Sequence, residues 1–167
     1  MKGTLQIRKY QDIDLDQCRN LWKELVERHR EIYFDSSIGG DKPEFFFDEH
    51  LNNIGADQIW VAVVDTSVVG FVGLDLEKEE AEIEPIVVRK DWRNRGVGEL
   101  LVEKAICEAQ KKGVKFLNVM PVARNAKAMQ FFRKMGFRNL GRVQLFMDFS
   151  GKQWKSSLKL HECEFDY

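Results

Sequence analysis

The sequence predicts a mixed α/β fold in which residues 1–167 form a single domain around one central sheet. The 167 residues, of which 44% are hydrophobic and 32% charged, are enough for one complete core. Strand patterns come first, two strand–helix pairs follow, and a hairpin pattern ends the chain. That order is typical of one mixed sheet flanked by helices.

The first half of the chain is predicted to hold three strands and two helices. Asp14 precedes an apolar stripe at helical spacing and is a residue type that caps helices. Pro43 suits the first turn of a second, short helix. Two apolar segments around the polar turn at 65–67 predict a hairpin. In chain order these elements are a strand at 5–8, helices at 15–30 and 43–52, and strands at 59–64 and 68–76.

The second half is predicted to hold the two strand–helix pairs and a C-terminal hairpin. Gly113 and Gly136 each follow an amphipathic segment, as glycines do at helix ends. Alternating apolar residues on both sides of Ser150-Gly151-Lys152 predict the hairpin. In chain order these elements are a strand at 81–88, a helix at 96–112, a buried strand at 115–120, a helix at 125–135, and hairpin strands at 143–149 and 158–160. The predicted inward residues of the third helix are Val97, Leu100, Leu101, Ala105 and Ile106.

Composition argues against several classes of function. A net charge of −1 provides no basic field, so we expect no nucleic-acid partner. No apolar run approaches the roughly 20 residues that span a membrane, and no signal-peptide core begins the chain. Three unpatterned cysteines indicate reduced thiols in a cytoplasmic protein. The three histidines lack metal-ligand spacing, so no metal is expected.

A glycine loop between a strand and a helix is the first motif that carries chemistry. It reads Arg93-x-x-Gly96-x-Gly98, and Arg95 adds a second guanidinium. Unpaired N–H groups at a helix start bind phosphate, and glycine lets an anion approach the main chain. The third glycine of a dinucleotide fingerprint would fall at Leu101, and no Gly-Lys-Ser/Thr follows, so neither of those nucleotide motifs fits.

A second motif follows on the next strand–helix pair. It reads Asn125-x-x-Ala128-x-x-Phe131-Phe132-x-x-x-Gly136-Phe137. The two motifs together, with these elements between them, resemble the GNAT superfamily of N-acetyltransferases over residues 81–137. The resemblance implies a central, mixed, mostly antiparallel and splayed sheet that holds acetyl-CoA between two of its strands.

The resemblance also implies which residues contact the cofactor. Strand backbone would pair with the pantetheine arm, an amide near Ile86 or Val87 would polarise the thioester carbonyl, and the loop amides would hold the pyrophosphate. Asn125 would contact the cofactor arm, although it is equally suited to cap its own helix. The implied cofactor residues are Ile86, Val87, Val88, Arg93, Asn94, Arg95, Gly96, Val97, Gly98, Glu99, Asn125 and Phe132.

Acetyl transfer to an amine requires that a proton be removed first. A primary amine has a pKa near ~10.4, so only a small fraction is neutral at pH 7. Glu82 and Glu84 lie on one face of the strand before the glycine loop and are the candidate catalytic bases. Glu84 lies nearer the thioester, whereas Glu82 has the offset from Arg93 at which the histone-acetylating branch carries its base. Phe132 stands where many members have a tyrosine that protonates the departing thiolate.

These residues predict an N-acetyltransferase that moves the acetyl group of acetyl-CoA to a primary amine by direct attack in a ternary complex. The amine is a small molecule or a protein amine, and a homodimer is common in the family. A non-catalytic acyl-CoA-binding or sensing module is the alternative, favoured by Phe132 and opposed by the paired glutamates. A nucleic-acid-binding domain would use Arg89, Lys90, Arg93 and Arg95, but the net charge opposes it.

Overall fold

The computed structural model describes residues 3–167, which separate into two compact units that meet in sequence between Met120 and Pro121. The α-helices are α1 (Leu15–Tyr33), α2 (Phe46–Ile54), α3 (Val97–Lys112) and α4 (Ala126–Lys134). The strands are β1 (Leu5–Lys9), β2 (Ile59–Val64), β3 (Ser67–Leu76), β4 (Glu80–Val88), β5 (Phe116–Asn118), β6 (Leu158–Leu160) and β7 (Cys163–Phe165).

The first unit is built on a five-stranded sheet in the order β1-β2-β3-β4-β5. The first four strands pair antiparallel, and β5 pairs parallel with β4. This arrangement confirms the predicted mixed, mostly antiparallel sheet flanked by helices. It follows from the sequence because β2 to β4 are joined by tight turns, whereas β4 and β5 are joined through α3.

Helices lie on both faces of this sheet, and two glycines of β3 identify the faces. A Cβ on Gly70 would touch Leu101 of α3, whereas a Cβ on Gly73 would touch His50 and Ile54 of α2. Residues three apart on a strand point to opposite faces, so α3 covers one face and α2 the other. The α2 face also carries a core in which Phe47 and Phe71 pack edge to face, with ring centroids 5.3 Å apart.

The predicted third helix begins and ends as expected, but its inward face is turned slightly. Gly113 ends the helix in the left-handed conformation, and its N–H bonds to Ala109 and Gln110. Leu100 is 41% exposed, which contradicts its predicted burial, and Val102 is fully buried instead. An apolar stripe defines a helical face only to within about one residue, and packing against the sheet selects which neighbour is buried.

The predicted strand at 115–120 is shorter and more exposed than expected. Only Phe116–Asn118 pair with β4, and Phe116 is 59% exposed. The strand is the last in the sheet, so it has one hydrogen-bonded neighbour instead of two. Its apolar composition resembled that of a central strand, and composition does not reveal sheet order.

The second unit contains α4 and a short hairpin, and its strands differ from the prediction. The alternating residues 143–149 form no strand, and the hairpin consists of β6 and β7, which are joined at His161 and Glu162. Asp148 explains part of the difference, because its carboxylate accepts bonds from the Ser150 N–H, the Ser150 hydroxyl and the Trp154 indole. These local bonds compete with the pairing that a hairpin at this position would need.

Candidate functional site

The glycine loop ends in a helix start whose N-cap residue, Gly96, has no side chain to cap it. Asn94 and Gly96 adopt the left-handed conformation, with φ of 59° and 82°. The first helical hydrogen bond runs from the N–H of Leu100 to the carbonyl of Gly96 at 3.1 Å. The preceding N–H groups, at Val97 and Gly98 among them, therefore lie before the start of the helical ladder. This geometry suits an anion.

Arg93 joins this loop to the end of β4. Its Nε donates to the carbonyl oxygen of Val88 at 2.9 Å, and its Nη2 lies 3.9 Å from the carboxylate of Glu24. The same carboxylate accepts the N–H of Lys90 at 3.0 Å. The resemblance implies that Arg93 contacts the cofactor, and these contacts give its guanidinium the further role of orienting the loop. Arg95 lies over the ring of Trp92, 5.1 Å from the ring centroid.

The last residues of β4 present backbone groups to an unpaired edge. The N–H of Arg89 bonds to the carbonyl of Val69 at 2.9 Å, so hydrogen-bonded pairs recur every second residue from there. By this alternation Val87 faces β3, whereas the N–H and C=O groups of Ile86 and Val88 point away from it. Among the described strands, β5 pairs only with the start of β4, from Glu80. The backbone of Ile86 and the N–H of Val88 are thus free to pair with an extended ligand.

A β-bulge interrupts β4 immediately before this edge. Leu74 pairs with Ile83 and Val72 pairs with Ile86, so Gly73 alone stands opposite Glu84 and Pro85. The bond between Glu84 and Pro85 is a cis peptide. The extra residue reverses the alternation of the strand beyond it. The sequence analysis treated this strand as regular and did not predict the bulge.

Glu82 and Glu84 lie on the approach to the bulge, within an acidic neighbourhood. Glu82 is half-buried and pairs across the sheet with Asp75, and Glu84 is exposed. Directly paired residues share a face, so Glu82 projects on the face that carries α2. Burial raises the pKa of Glu82, and repulsion by Glu84, Asp75 and Glu77 raises it further. Within residues 3–167 neither Glu82 nor Glu84 forms a salt bridge, so both are available to a cation.

His50 of α2 is a site residue that sequence analysis missed. Its Nε2 is buried near the bulge and has no hydrogen-bond partner in the described part of the chain. The ring packs on Trp22, with centroids 5.2 Å apart. Burial lowers the pKa of His50, and Asp75 opposes the shift. No sequence pattern marks His50, because a lone histidine on a short helix belongs to no motif. Its place beside the bulge is evident only in the folded structure.

Asn125 and Phe132 belong to the second unit. Asn125 caps α4, since its side-chain oxygen accepts the N–H of Ala128 at 3.2 Å. Phe132 is 7% exposed and packs between Phe131 and Phe137, with ring centroids 5.3 and 5.6 Å away. The capping role expected for Asn125 is therefore present, and Phe132 is part of an aromatic cluster.

The described residues contain neither a metal-ligand cluster nor a membrane-spanning helix. Residues 3–167 contain no group of three or more His, Cys, Asp or Glu side chains arranged to hold a metal ion. Across the same range, no helix combines the length and apolar character needed to cross a membrane.

Comparison with known proteins identifies relatives along most of the chain. The model of the acetyltransferase (GNAT) family matches residues 21–137. The uncharacterized N-acetyltransferase MJ1207 of Methanocaldococcus jannaschii is 32% identical over 133 residues, covering 71% of this chain and 59% of that protein. The peptidyl-lysine N-acetyltransferase YjaB of Salmonella typhimurium is 34% identical over 88 residues, covering 52% of this chain and 54% of that protein. The matched part of the chain thus spans less than two thirds of either relative.

Solved structures share the fold at lower identity. Aminoglycoside N-acetyltransferase AAC(6')-Iy, in complex with CoA, has a TM-score of 0.68 and 19% identity, with 89% of this chain and 97% of that one covered. A GNAT-family acetyltransferase from Staphylococcus aureus Mu50 has a TM-score of 0.69 and 18% identity, with 89% and 96% covered. At these identities the likeness concerns the fold alone.

Proposed function

Because this chain belongs to the acetyltransferase (GNAT) family, we propose that it is an N-acetyltransferase that moves the acetyl group of acetyl-CoA to a primary amine. The observation that carries the proposal is the position of an unpaired strand edge directly before an uncapped helix start. The free backbone of Ile86 and the N–H of Val88 suit a pantetheine arm, and the amides from Asn94 to Glu99 suit a pyrophosphate.

The bulge supports a specific role for the amide of Ile86. Pro85 has no N–H, and the N–H of Val87 is directed toward β3 by the alternation of the ladder. Ile86 therefore carries the first N–H after the bulge that is free to donate toward a ligand. We assign to it the polarisation of the thioester carbonyl, whose oxygen gains negative charge as the amine attacks.

The chemical step needs one base and one leaving group. Glu82 or Glu84 takes a proton from the acceptor ammonium, and the amine nitrogen then attacks the acyl carbon. As the new C–N bond forms, the C–S bond breaks, and sulfur leaves as a thiolate that takes up a proton. A thiol has a pKa near ~8.5, so the thiolate departs without an acid group at Phe132.

The acceptor amine is the open part of the proposal. The relative from Salmonella typhimurium is named a peptidyl-lysine N-acetyltransferase, so lysine side chains in peptides are the first acceptors to test. The unpaired carboxylates of Glu82 and Glu84 are consistent with a cationic acceptor. Small amines form the second class to be compared with peptides.

The test is thiol release from acetyl-CoA in the presence of a panel of amines. Glu82→Gln and Glu84→Gln keep the shape of the side chain and remove its basicity. The change at the catalytic base should lower kcat/KM by roughly 10²–10⁴, with partial recovery at high pH. Glu80→Gln is the matched control on the same strand, since Glu80 accepts a hydrogen bond from Asn118 instead. CoA binding without transfer to any amine would instead identify a non-catalytic acyl-CoA-binding module.

A further inference from the structure

Two buried side-chain atoms of the described residues have no hydrogen-bond partner, Oε2 of Glu44 and Nε2 of His50. Of these two, Nε2 of His50 lies beside the bulge in β4. More than nine tenths of buried polar groups in native proteins are paired, and leaving one unpaired is costly. Burial lowers the pKa of the ring, so His50 is neutral at pH 7 and carries one N–H. The groups beside Nε2 therefore determine what that nitrogen does.

A backbone carbonyl of the bulge, that of Glu84, borders the same space as this nitrogen. A Cβ placed on Gly73 would collide with that carbonyl oxygen and would lie 2.7 Å from Nε2 of His50. The carbonyl oxygen and Nε2 thus both border the space that a side chain would fill if residue 73 were not glycine. Only glycine permits this approach, because any other residue would separate the imidazole from the carbonyl.

The bulge interrupts the regular pairing at this carbonyl. Gly73 alone stands opposite Glu84 and Pro85, so the ladder gives Glu84 no directly paired residue on β3. The Glu84 oxygen borders the space beside Gly73 on the face covered by α2, the helix that carries His50.

We propose that His50 is a positioning residue that holds the carbonyl of Glu84 through one water molecule bound by its Nε2–H. The contact fixes the peptide that follows Glu84, and so fixes the direction of the Glu84 carboxylate. Trp22 holds the ring from its other side, with centroids 5.2 Å apart. Asp75 is the charged group that acts on the ring, and it favours the protonated form.

The inference rests on the proposed function and deepens it. It assigns the role of base to Glu84, and it predicts that His50 affects catalysis only through that residue. A residue that acts through another loses its effect once the second residue is removed. A double-mutant cycle between His50 and Glu84 therefore tests the assignment.

The cycle compares His50→Leu in the native background and in the Glu84→Gln background. We expect His50→Leu to lower kcat for the amine about tenfold with Glu84 present, the order expected for one lost hydrogen bond, and less than twofold in Glu84→Gln. His50→Leu should change the affinity for CoA by the same factor in both backgrounds, and it should lower Tm by the same amount in both. His50→Gln, which keeps an N–H at a similar reach, should restore most of the rate.

His29 provides the matched control. It is a half-buried histidine on α1 whose pKa burial also lowers, so His29→Leu removes a comparable ring away from the bulge. Its kcat should equal that of the wild type. Equal rate losses for His50→Leu in both Glu84 backgrounds would overturn the proposal, because they would indicate a purely structural role.

A second measurement tests the contact between His50 and Glu84 independently of the proposed activity. Long-range 1H–15N NMR of the ring nitrogens reports which nitrogen of neutral His50 carries the proton. We expect the Nε2–H form, with a proton protected from exchange. A proton on Nδ1 would refute the contact even in an active enzyme. If the wild type transfers acetyl to no amine, the proposed function fails, while the tautomer still decides the contact.

Discussion

The guanidinium of Arg93 donates from Nε to the carbonyl oxygen of Val88 at 2.9 Å, and so joins the glycine loop to the last residue of β4. This bond connects the two features that suit a cofactor, the free strand edge and the uncapped helix start. It also occupies the outward carbonyl of Val88, which leaves the N–H of that residue and the backbone of Ile86 for a ligand. Arg93 therefore orients the loop in addition to contributing charge.

Replacement of Arg93 should weaken CoA binding more than replacement of Arg95. Arg93→Ala removes the bond to Val88 and the contact with Glu24, and we expect the Kd for CoA to rise about tenfold. Arg95→Ala removes a cation that stacks on Trp92 at the surface and should change Kd less. Calorimetric titration with CoA measures both values. Equal effects of the two variants would contradict the orienting role of Arg93.

Substitutions of the two glycines at the ends of α3 distinguish a loss of stability from a loss of cofactor binding. Gly96 and Gly113 both have positive φ, and a Cβ on either would meet no atom within 4 Å. Alanine at each should cost a similar ~1–2 kcal/mol of stability, the cost of a left-handed conformation. Only Gly96→Ala should also raise the Kd for CoA, because it disturbs the amides at the helix start. Chemical denaturation and calorimetry check the two halves of this prediction.

Removal of the Glu82 charge should stabilise the protein at neutral pH. Its pKa is raised in the folded state, so folding disfavours its ionised form, and the cost is present above the folded pKa. Glu82→Gln should therefore raise Tm at pH 7, and the advantage should shrink as the pH falls and Glu82 becomes protonated. Melting curves of both proteins between pH 3 and pH 7, roughly the range of carboxyl titration, measure the difference. A Tm advantage that is the same at every pH would disagree with this cause.

The ion pair between Arg8 and the buried Asp14 should contribute more to stability than the exposed pair between Lys9 and Asp57. Asp14 is 2% exposed, and its carboxylate accepts hydrogen bonds from Nη1 and Nη2 of Arg8 at 2.7 and 2.8 Å. Asp14→Asn removes the charge partner of a partly exposed guanidinium and should cost about 1.5–3 kcal/mol, the contribution of hydrogen bonds to charged groups. Asp57→Asn, which breaks the exposed pair with Lys9, should cost less than about 1 kcal/mol. Urea denaturation of both variants provides the comparison.

A hydroxyl added at Phe132 should destabilise the protein. The ring is 7% exposed and lies against Phe131 and Phe137, so the new group would be buried among apolar side chains. We expect Phe132→Tyr to cost on the order of 1–3 kcal/mol and to leave kcat without a gain. Unchanged Tm with a higher kcat would show that the hydroxyl reaches the departing thiolate. Tm and kcat measured on one preparation distinguish the two results.

The sequence alone was sufficient for the elements that local patterns encode. The strand at Ile59–Val64 has the predicted bounds, and α3 begins one residue after the predicted start. Asn125 begins its helix and Gly113 ends another, as their residue types suggest. Hydrophobic period, caps and turn residues are properties of neighbours in the chain, so they can be recognised without the fold.

Tertiary structure decided the features that depend on partners distant in sequence. The strand predicted at 143–149 is absent, since a strand also needs a neighbour to pair with, and Asp148 binds local groups instead. The bulge at Glu84 and the approach of His50 to its carbonyl arise where β3, β4 and α2 meet. No local pattern marks them, because the register between two strands and the atoms that border a glycine are set only when separate segments pack together.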